Sequence, residues 1–94
     1  MNRRAILSLQ GRFDFSGNHV FKKSYEPILQ TAEINDLEID LNAVQYLDSS
    51  ALGMLLLLKE RADQVGKSLS LSNCHGAIRE ILEIANFLML FKVR

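Results

Sequence analysis

The residue types best suited to chemistry in this chain stand together as Asp48-Ser49-Ser50. Asp and Ser side chains are favoured at helix N-caps, and the first-turn amides beyond a cap point outward with a partial positive charge. Such a turn attracts anions, so a hydroxyl placed there can carry a phosphoryl group at little cost to the fold. A serine ahead of an apolar helix is also commonly a plain cap worth about 1 kcal/mol. Spacing alone leaves both interpretations open.

The rest of the sequence offers little catalytic chemistry. Cys74-His75 places a thiol beside an imidazole, but neighbours in sequence rarely face one another. The sequence contains no G-x-S-x-G elbow, P-loop or G-x-G-x-x-G motif, and a single cysteine gives no paired metal ligands. We therefore expect no enzyme activity, no cofactor and no metal. The chain is expected to receive chemistry rather than to perform it.

The elements on either side of the junction are a strand and a helix. Residues 37–41 alternate apolar and polar side chains at the strand period, and the apolar run 43–47 continues the segment. Residues 51–64 contain neither Pro nor a β-branched residue, which predicts a helix from about Ser50 to Val65, stopped by Gly66. Gly53 in its first turn costs about 1 kcal/mol relative to Ala. Either close packing against the first strand or its loop, or room for a partner's backbone, explains it.

The remaining segments alternate in the same way. A first strand is predicted over residues 5–10, with Ala5, Leu7 and Leu9 on one face. A helix with Phe21, Tyr25, Ile28, Leu29 and Ala32 on one stripe follows, capped by Ser16 or Asn18 and kinked or broken near Tyr25 by Pro27. A strand over 68–72 precedes a helix with a core stripe of Ile78, Ile81, Leu82 and Ala85. This order predicts an α/β architecture with mostly parallel strands.

Composition narrows the class of protein. The acidic and basic residues balance to a formal net charge of zero and are scattered, which argues against direct nucleic-acid binding. The run Leu55-Leu56-Leu57-Leu58 is far shorter than the roughly 20 residues of a membrane span. We expect a soluble, cytoplasmic protein with no direct membrane contact and a single domain over residues 1–94.

The segment 46–53, Tyr-Leu-Asp-Ser-Ser-Ala-Leu-Gly, resembles the signature of the STAS domain of bacterial anti-sigma factor antagonists. The resemblance extends to Gly11-Arg12-Phe13-Asp14, which matches a Gly-x-hydrophobic-Asp turn, and to the strand, helix and short final strand over residues 69–93. It covers essentially the whole chain and implies the STAS fold, a layer of mostly parallel mixed β-sheet with helices packed against it. This chain differs from many relatives in having Ala51 where Gly is common.

The resemblance also implies a function and its residues. An anti-sigma factor antagonist binds an anti-sigma factor, which can itself be a serine kinase, and phosphorylation of the Ser after the Asp releases it until a phosphatase reverses the change. That serine is Ser49 here. Asp14, Asp48 and Ser50 are expected to take part in partner binding, Asp48 chiefly as the helix cap and Ser50 as a second acceptor. Met54 is expected to supply an apolar contact. The family implies a monomer.

The alternative is a STAS subunit of a membrane lipid transporter. In that class of protein the hydroxyl at this turn is structural and is not phosphorylated. The two hydroxyls of Ser49 and Ser50 favour the regulator. A third interpretation is a serine nucleophile at Ser49, for which the sequence offers no partner base.

Overall fold

A computed structural model describes residues 3–94. Strands and helices alternate along the chain as β1 (Arg3–Phe13), α1 (Asn18–Leu29), β2 (Ile34–Leu47), α2 (Ser49–Gln64), β3 (Ser68–Ser72), α3 (Gly76–Ile84) and β4 (Lys92–Val93). Short 3₁₀ turns at Phe15–Gly17 and Phe87–Met89 precede α1 and β4. None of the helices within residues 3–94 is long and apolar enough to cross a membrane.

The four strands form one sheet in the order β1-β2-β3-β4. All three neighbouring pairs are parallel, so the expectation of a mostly parallel sheet is confirmed, and within residues 3–94 no antiparallel strand makes it mixed. A helix crosses over between each pair of consecutive strands, as parallel pairing requires. The carboxyl ends of β1, β2 and β3 therefore share one edge of the sheet.

One face of the sheet carries the core and the other carries polar side chains. Leu37, Ile39 and Leu41 of β2 are fully buried and pack with apolar residues of all three helices, among them Tyr25, Leu55, Leu58 and Leu82. On the opposite face, Asp36 accepts from the guanidinium groups of Arg4 at 3.0 Å and Arg94 at 2.7 Å. Burial opposes ionisation of Asp36, but hydrogen bonds from Ser68 and Arg4 outweigh it and lower the pKa of that carboxyl.

Strand β2 is longer than its neighbour β1. Its register with β1 shifts between Arg3 and Arg4, between Ser8 and Gln10, and between Gly11 and Arg12, and each shift adds a residue to β2. The sequence pattern of residues 37–41 and 43–47 is thus one bulged strand. The bulges let β2 end level with β1, since Phe13 pairs with Leu47.

Helix α1 differs from its prediction in three respects. Ala32, predicted on its apolar stripe, lies beyond its last residue, Leu29, and is exposed. The helix continues without a break from Asn18 to Leu29 with Pro27 inside, so of the predicted kink or break near Tyr25 the break is wrong. Pro27 lies in the last turn, where it removes one hydrogen bond, and the buried stripe of Phe21, Tyr25 and Leu29 holds the helix on the core. The predicted cap by Ser16 or Asn18 is also wrong. The N-cap is Gly17, which has no side chain, so no side-chain hydrogen bond caps α1.

Candidate functional site

Asp48 is the N-cap of α2. Its backbone is extended, its Oδ1 accepts from the Ala51 amide at 2.8 Å, and its carbonyl accepts from the Leu52 amide at 3.3 Å. The short polar side chain of Asp favours this conformation at the end of a strand. Asp48 therefore fills the capping role that spacing alone left open among three residues.

Ser49 occupies the first position of α2. Its side chain is exposed, whereas that of the adjacent Ser50 is partly covered. Because Asp48 supplies the cap, the Ser49 hydroxyl is not needed for that purpose. It lies at the positive end of the helix dipole, where added negative charge is tolerated.

Asp14 leaves the sheet beside Asp48. The pairing of Phe13 with Leu47 brings the two aspartates to neighbouring positions on the same edge. Asp14 caps the Phe15–Gly17 turn, and its Oδ1 accepts from the Ser16 hydroxyl at 2.5 Å and the Ser16 amide at 3.1 Å. The hydrogen bond from the Ser16 hydroxyl, helped by Arg12, holds the pKa of Asp14 below its usual range. Asp14 therefore carries negative charge at this edge.

Arg12 adds a cation that the sequence reasoning missed. Its guanidinium lies 4.2 Å from the centroid of the Tyr46 ring, and its Nε is 3.3 Å from Asp14 Oδ2. The contact with the ring follows from the register, which pairs Arg12 with Tyr46, whereas the contact with Asp14 is local in sequence. A signal was available, because the segments 11–14 and 46–53 were both placed at strand ends and parallel strand ends meet.

The solvent face of α2 is apolar next to the turn. Helical spacing places four residues in a row on this face, namely Ser49, Leu52, Gly53 and Leu56, and Leu57 lies beside them. We call these five residues the α2 face. Leu56 and Leu57 are 42% and 48% exposed. Four consecutive leucines span most of a helix turn, so the sequence already required some of residues 55–58 to face solvent.

Met54 does not belong to the α2 face. Its side chain is 8% exposed and packs in the hydrophobic core. The apolar contact expected of Met54 is therefore corrected, because the core side of α2 takes positions 51, 54, 55 and 58. Leu56 and Leu57 are the exposed apolar side chains that the prediction lacked.

Gly53 lies on this face with free space around it. A Cβ at Gly53 would meet nothing within 4 Å outside its own helix. Close packing against β1 or its loop therefore does not explain this glycine. The other explanation drawn from the sequence, room for a partner's backbone, stays a prediction.

The other reactive side chains remain apart from the turn. His75 Nε2 lies 3.3 Å from Asn42 Oδ1, and Cys74 is half-buried, so that burial raises the pKa of its thiol. Within residues 3–94, no three His, Cys, Asp or Glu side chains are grouped so that they could hold a metal ion.

Comparison with known proteins identifies the family of this chain. The family described as "Mlab, STAS domain" matches residues 2–90. A STAS-domain containing protein of Pseudomonas aeruginosa strain UCBPP-PA14 is 45% identical over 87 residues, which is 93% of this chain and 84% of that protein. The chain belongs to the STAS domain family.

Solved structures show the same fold. A protein of Thermotoga maritima has a TM-score of 0.84 at 21% identity, covering 96% of this chain and 77% of that one. The anti-sigma factor antagonist SpoIIAA in its unphosphorylated form has a TM-score of 0.72 at 13% identity, covering 97% and 78%. A sulfate transporter family protein of Wolinella succinogenes has a TM-score of 0.78 at 18% identity, covering 96% and 75%.

Proposed function

We propose that this protein is an anti-sigma factor antagonist that binds an anti-sigma factor when Ser49 is unmodified and releases it when Ser49 is phosphorylated. The observation that carries the proposal is the exposed Ser49 on the first turn of α2, at a cap already made by Asp48. SpoIIAA has a similar fold, and its structure is described in both the unphosphorylated and the phosphorylated form. The protein acts as a cytoplasmic, non-enzymatic regulator of transcription.

The switch works through charge rather than through unfolding. A phosphoryl group adds about −1.5 to −2 charges and three acceptor oxygens at neutral pH. The amides of the first turn offset part of that charge within the helix, so the fold survives. Toward the partner, the new charge adds to those of Asp48 and Asp14 on the same edge. A partner surface that accepts the neutral serine is then repelled.

The α2 face provides the area that a partner would cover. Leu56 and Leu57 supply exposed apolar surface, and Gly53 lets a backbone approach the helix between them and Ser49. A charge placed among these apolar side chains must lose its hydration when a partner covers them, so one modification of Ser49 acts on the whole contact. Asp14 and Ser50 border this surface, Asp14 as a fixed negative charge for a basic group on the anti-sigma factor.

The partners follow from this cycle. An anti-sigma factor binds the unmodified form, a serine kinase acts on Ser49, and a serine phosphatase restores the hydroxyl. The kinase is either the anti-sigma factor itself or a separate protein. Ser50 is a second acceptor, one residue along and less exposed.

The test compares proteins captured by the unmodified chain, Ser49→Asp and Ser49→Asn from a native lysate, with the phosphorylation state of the endogenous protein read by mass spectrometry. Asn matches Asp in shape but lacks its charge. We expect an anti-sigma factor with the unmodified chain and with Ser49→Asn, a loss of about tenfold or more with Ser49→Asp, and phosphate on Ser49. Equal capture by all three, with Ser49 never phosphorylated, contradicts the proposal.

A second candidate is a STAS subunit of a membrane lipid transporter. It is kept because the fold also occurs in the Wolinella succinogenes sulfate transporter family protein. The same capture experiment separates the two functions. Transporter subunits recovered equally with the unmodified chain and with Ser49→Asp would identify the transporter class, in which Ser49 is a structural residue.

A further inference from the structure

The outer edge of β1 is unusually open. Strand β1 is the first of the four strands in the sheet order, and within residues 3–94 no strand pairs with its outer side. It is 11 residues long. Natural edge strands are commonly short, or are blunted by Pro, Lys or bulges. Here the register shifts place the extra residues in β2, and β1 alternates regularly between exposed and half-buried positions from Arg4 to Arg12. Gly11, with φ of +66°, lies beyond the uncharged middle of the strand.

The middle of this edge carries no charge. Residues 5–10 are Ala-Ile-Leu-Ser-Leu-Gln, and the arginines lie outside them at positions 3, 4 and 12. Ile6 is 58% exposed on the polar face of the sheet. On the core side, a groove of about 300 Å³ runs between the edge and α1, lined among others by Leu7, Leu9 and Val20. An extended segment with alternating apolar side chains would fit both features.

We propose that this edge binds the same edge of a second copy of this chain, forming an antiparallel β1–β1 pair centred on Leu7. Centring on Leu7 sets Ala5 opposite Leu9 on the core side and Ile6 opposite Ser8 on the polar face. Each Arg4 faces an uncharged Gln10, and its charge is already matched by Asp36 of its own chain. The contact is two-fold symmetric and closes, as homodimer contacts do.

Other registers that keep the apolar side chains on the core side are worse. Centring on Ser8 sets Arg4 of one copy directly opposite Arg12 of the other, and like charges across a strand pair are destabilising. Centring on Ile6 sets Arg3 opposite Leu9. The Leu7-centred pair is therefore the one that the charges and the apolar pattern of this edge both favour. With a formal net charge of zero, two chains also meet without net repulsion.

The dimer is independent of the proposed switch. The pairing covers residues 4–10 and ends before Asp14, so the α2 face stays open in each copy. The family resemblance implies a monomer, whereas this edge of the present chain predicts self-association. Ile6→Lys, which lies on β1 outside the α2 face, should lose the dimer and still capture the anti-sigma factor as the unmodified protein does. Failure of this proposal is thereby kept distinct from failure of the switch.

The first test is sedimentation equilibrium over a wide range of concentrations in reducing buffer. The molar mass of the unmodified protein should rise from 10.7 kDa for one chain toward twice that value. Ile6→Lys, an exposed position that leaves the core intact, should remain at the mass of one chain. Ile84→Lys is the matched control, because Ile84 is 84% exposed on α3, and it should dimerise. An unmodified protein that stays monomeric overturns the proposal, as does a monomeric Ile84→Lys or a dimeric Ile6→Lys.

The second test fixes the register in a Cys74→Ser background. Leu7→Cys should oxidise to a covalent dimer, because the two residues at position 7 face each other across the symmetry axis. Ala5→Cys should not, since its two copies lie about four residues apart along the strand, beyond the roughly 7 Å limit between bridged Cα atoms. Both positions are half-buried, so accessibility is matched. Equal cross-linking of the two variants, or none of Leu7→Cys, overturns the register.

Discussion

Asp48 and Ser49 divide between them two roles that one residue often combines. Asp48 closes the first turn of α2 through its bond to the Ala51 amide, and Ser49 presents its hydroxyl to solvent. Had Ser49 been the cap, phosphorylation would have disturbed the helix end directly. The separation means that the chemistry of residue 49 can change while the helix end does not.

The division predicts unequal effects of alanine at the two positions. Asp48→Ala should lower the free energy of unfolding by about 1 kcal/mol, because the Ala51 amide loses its acceptor. Ser49→Ala should change it by less than about 0.5 kcal/mol, as surface substitutions commonly do. Urea denaturation followed by circular dichroism measures both. Equal losses would contradict the assignment of the cap to Asp48.

Some functional side chains could be predicted from the sequence and others could not. The aspartates and serines of the turn could be found because capping chemistry is local in sequence. Arg12 depends on a ring that lies 34 positions away and is brought close by the register. Lys67 was missed for a different reason: it is buried, with Nζ donating to the carbonyls of Thr31 and Ile34 at 2.9 and 2.6 Å, whereas lysine is ordinarily exposed. Long-range partners of this kind leave no mark in a local pattern.

At the scale of elements, α2 keeps a glycine that its own fold does not require. Gly53→Ala should raise the free energy of unfolding by about 1 kcal/mol, because alanine is the better helix former and the added Cβ has open space. The same change should weaken capture of the anti-sigma factor if its backbone approaches there.

The matched control for that change is Gly66→Ala. Gly66 closes α2 with φ of +73°, a conformation that side chains disfavour, so alanine there should destabilise the protein. Thermal unfolding and capture are measured on the same preparations. A stabilised Gly53→Ala that captures its partner unchanged would show that this glycine has no part in binding.

Periodicity predicted the elements well where each had one pattern. The apolar stripe of α3 and the alternation of β1 and β3 were recognised because helix and strand periods differ clearly, and α2 was predicted from its helix-forming residues. Strand β2 was read as two runs because its bulges interrupt the alternation. Whether Pro27 kinks or breaks α1 was left open by the sequence, because core packing around Tyr25, not local propensity, decides the continuity of the helix.

For the whole molecule, the charged groups predict how stability depends on pH. Asp14, Glu26, Asp36 and Asp40 all have pKa values below those of free carboxyls; the hydrogen bond from Asn73 is the largest cause at Asp40, and that from Arg61 at Glu26. The unfolded chain therefore binds protons at higher pH than the folded one. Their contribution to stability is present above the unfolded pKa of about 4 and is lost as the pH falls through the folded values.

We expect the urea midpoint to be nearly constant around neutral pH and to fall steeply below about pH 4. Asp36→Asn should lower the midpoint at neutral pH and make the acid branch shallower, because one of the four carboxyls no longer titrates. The urea midpoints of the unmodified protein and of Asp36→Asn, measured at several pH values, test this expectation. Parallel curves for the two proteins would show that the Asp36 ion pairs do not contribute to the acid response.

Because the cap of α2 does not involve Ser49, the modified and unmodified chains should be nearly the same folded object. The proposed cycle then consumes a phosphoryl group at each turn and leaves the chain ready for the next. Proteases and chaperones act on unfolded chains, so the two forms should be degraded at the same rate. The total amount of protein would stay constant, and the fraction phosphorylated on Ser49 would follow the recent balance of kinase and phosphatase activity. A cell could thus change its response within the lifetime of the molecules it already has.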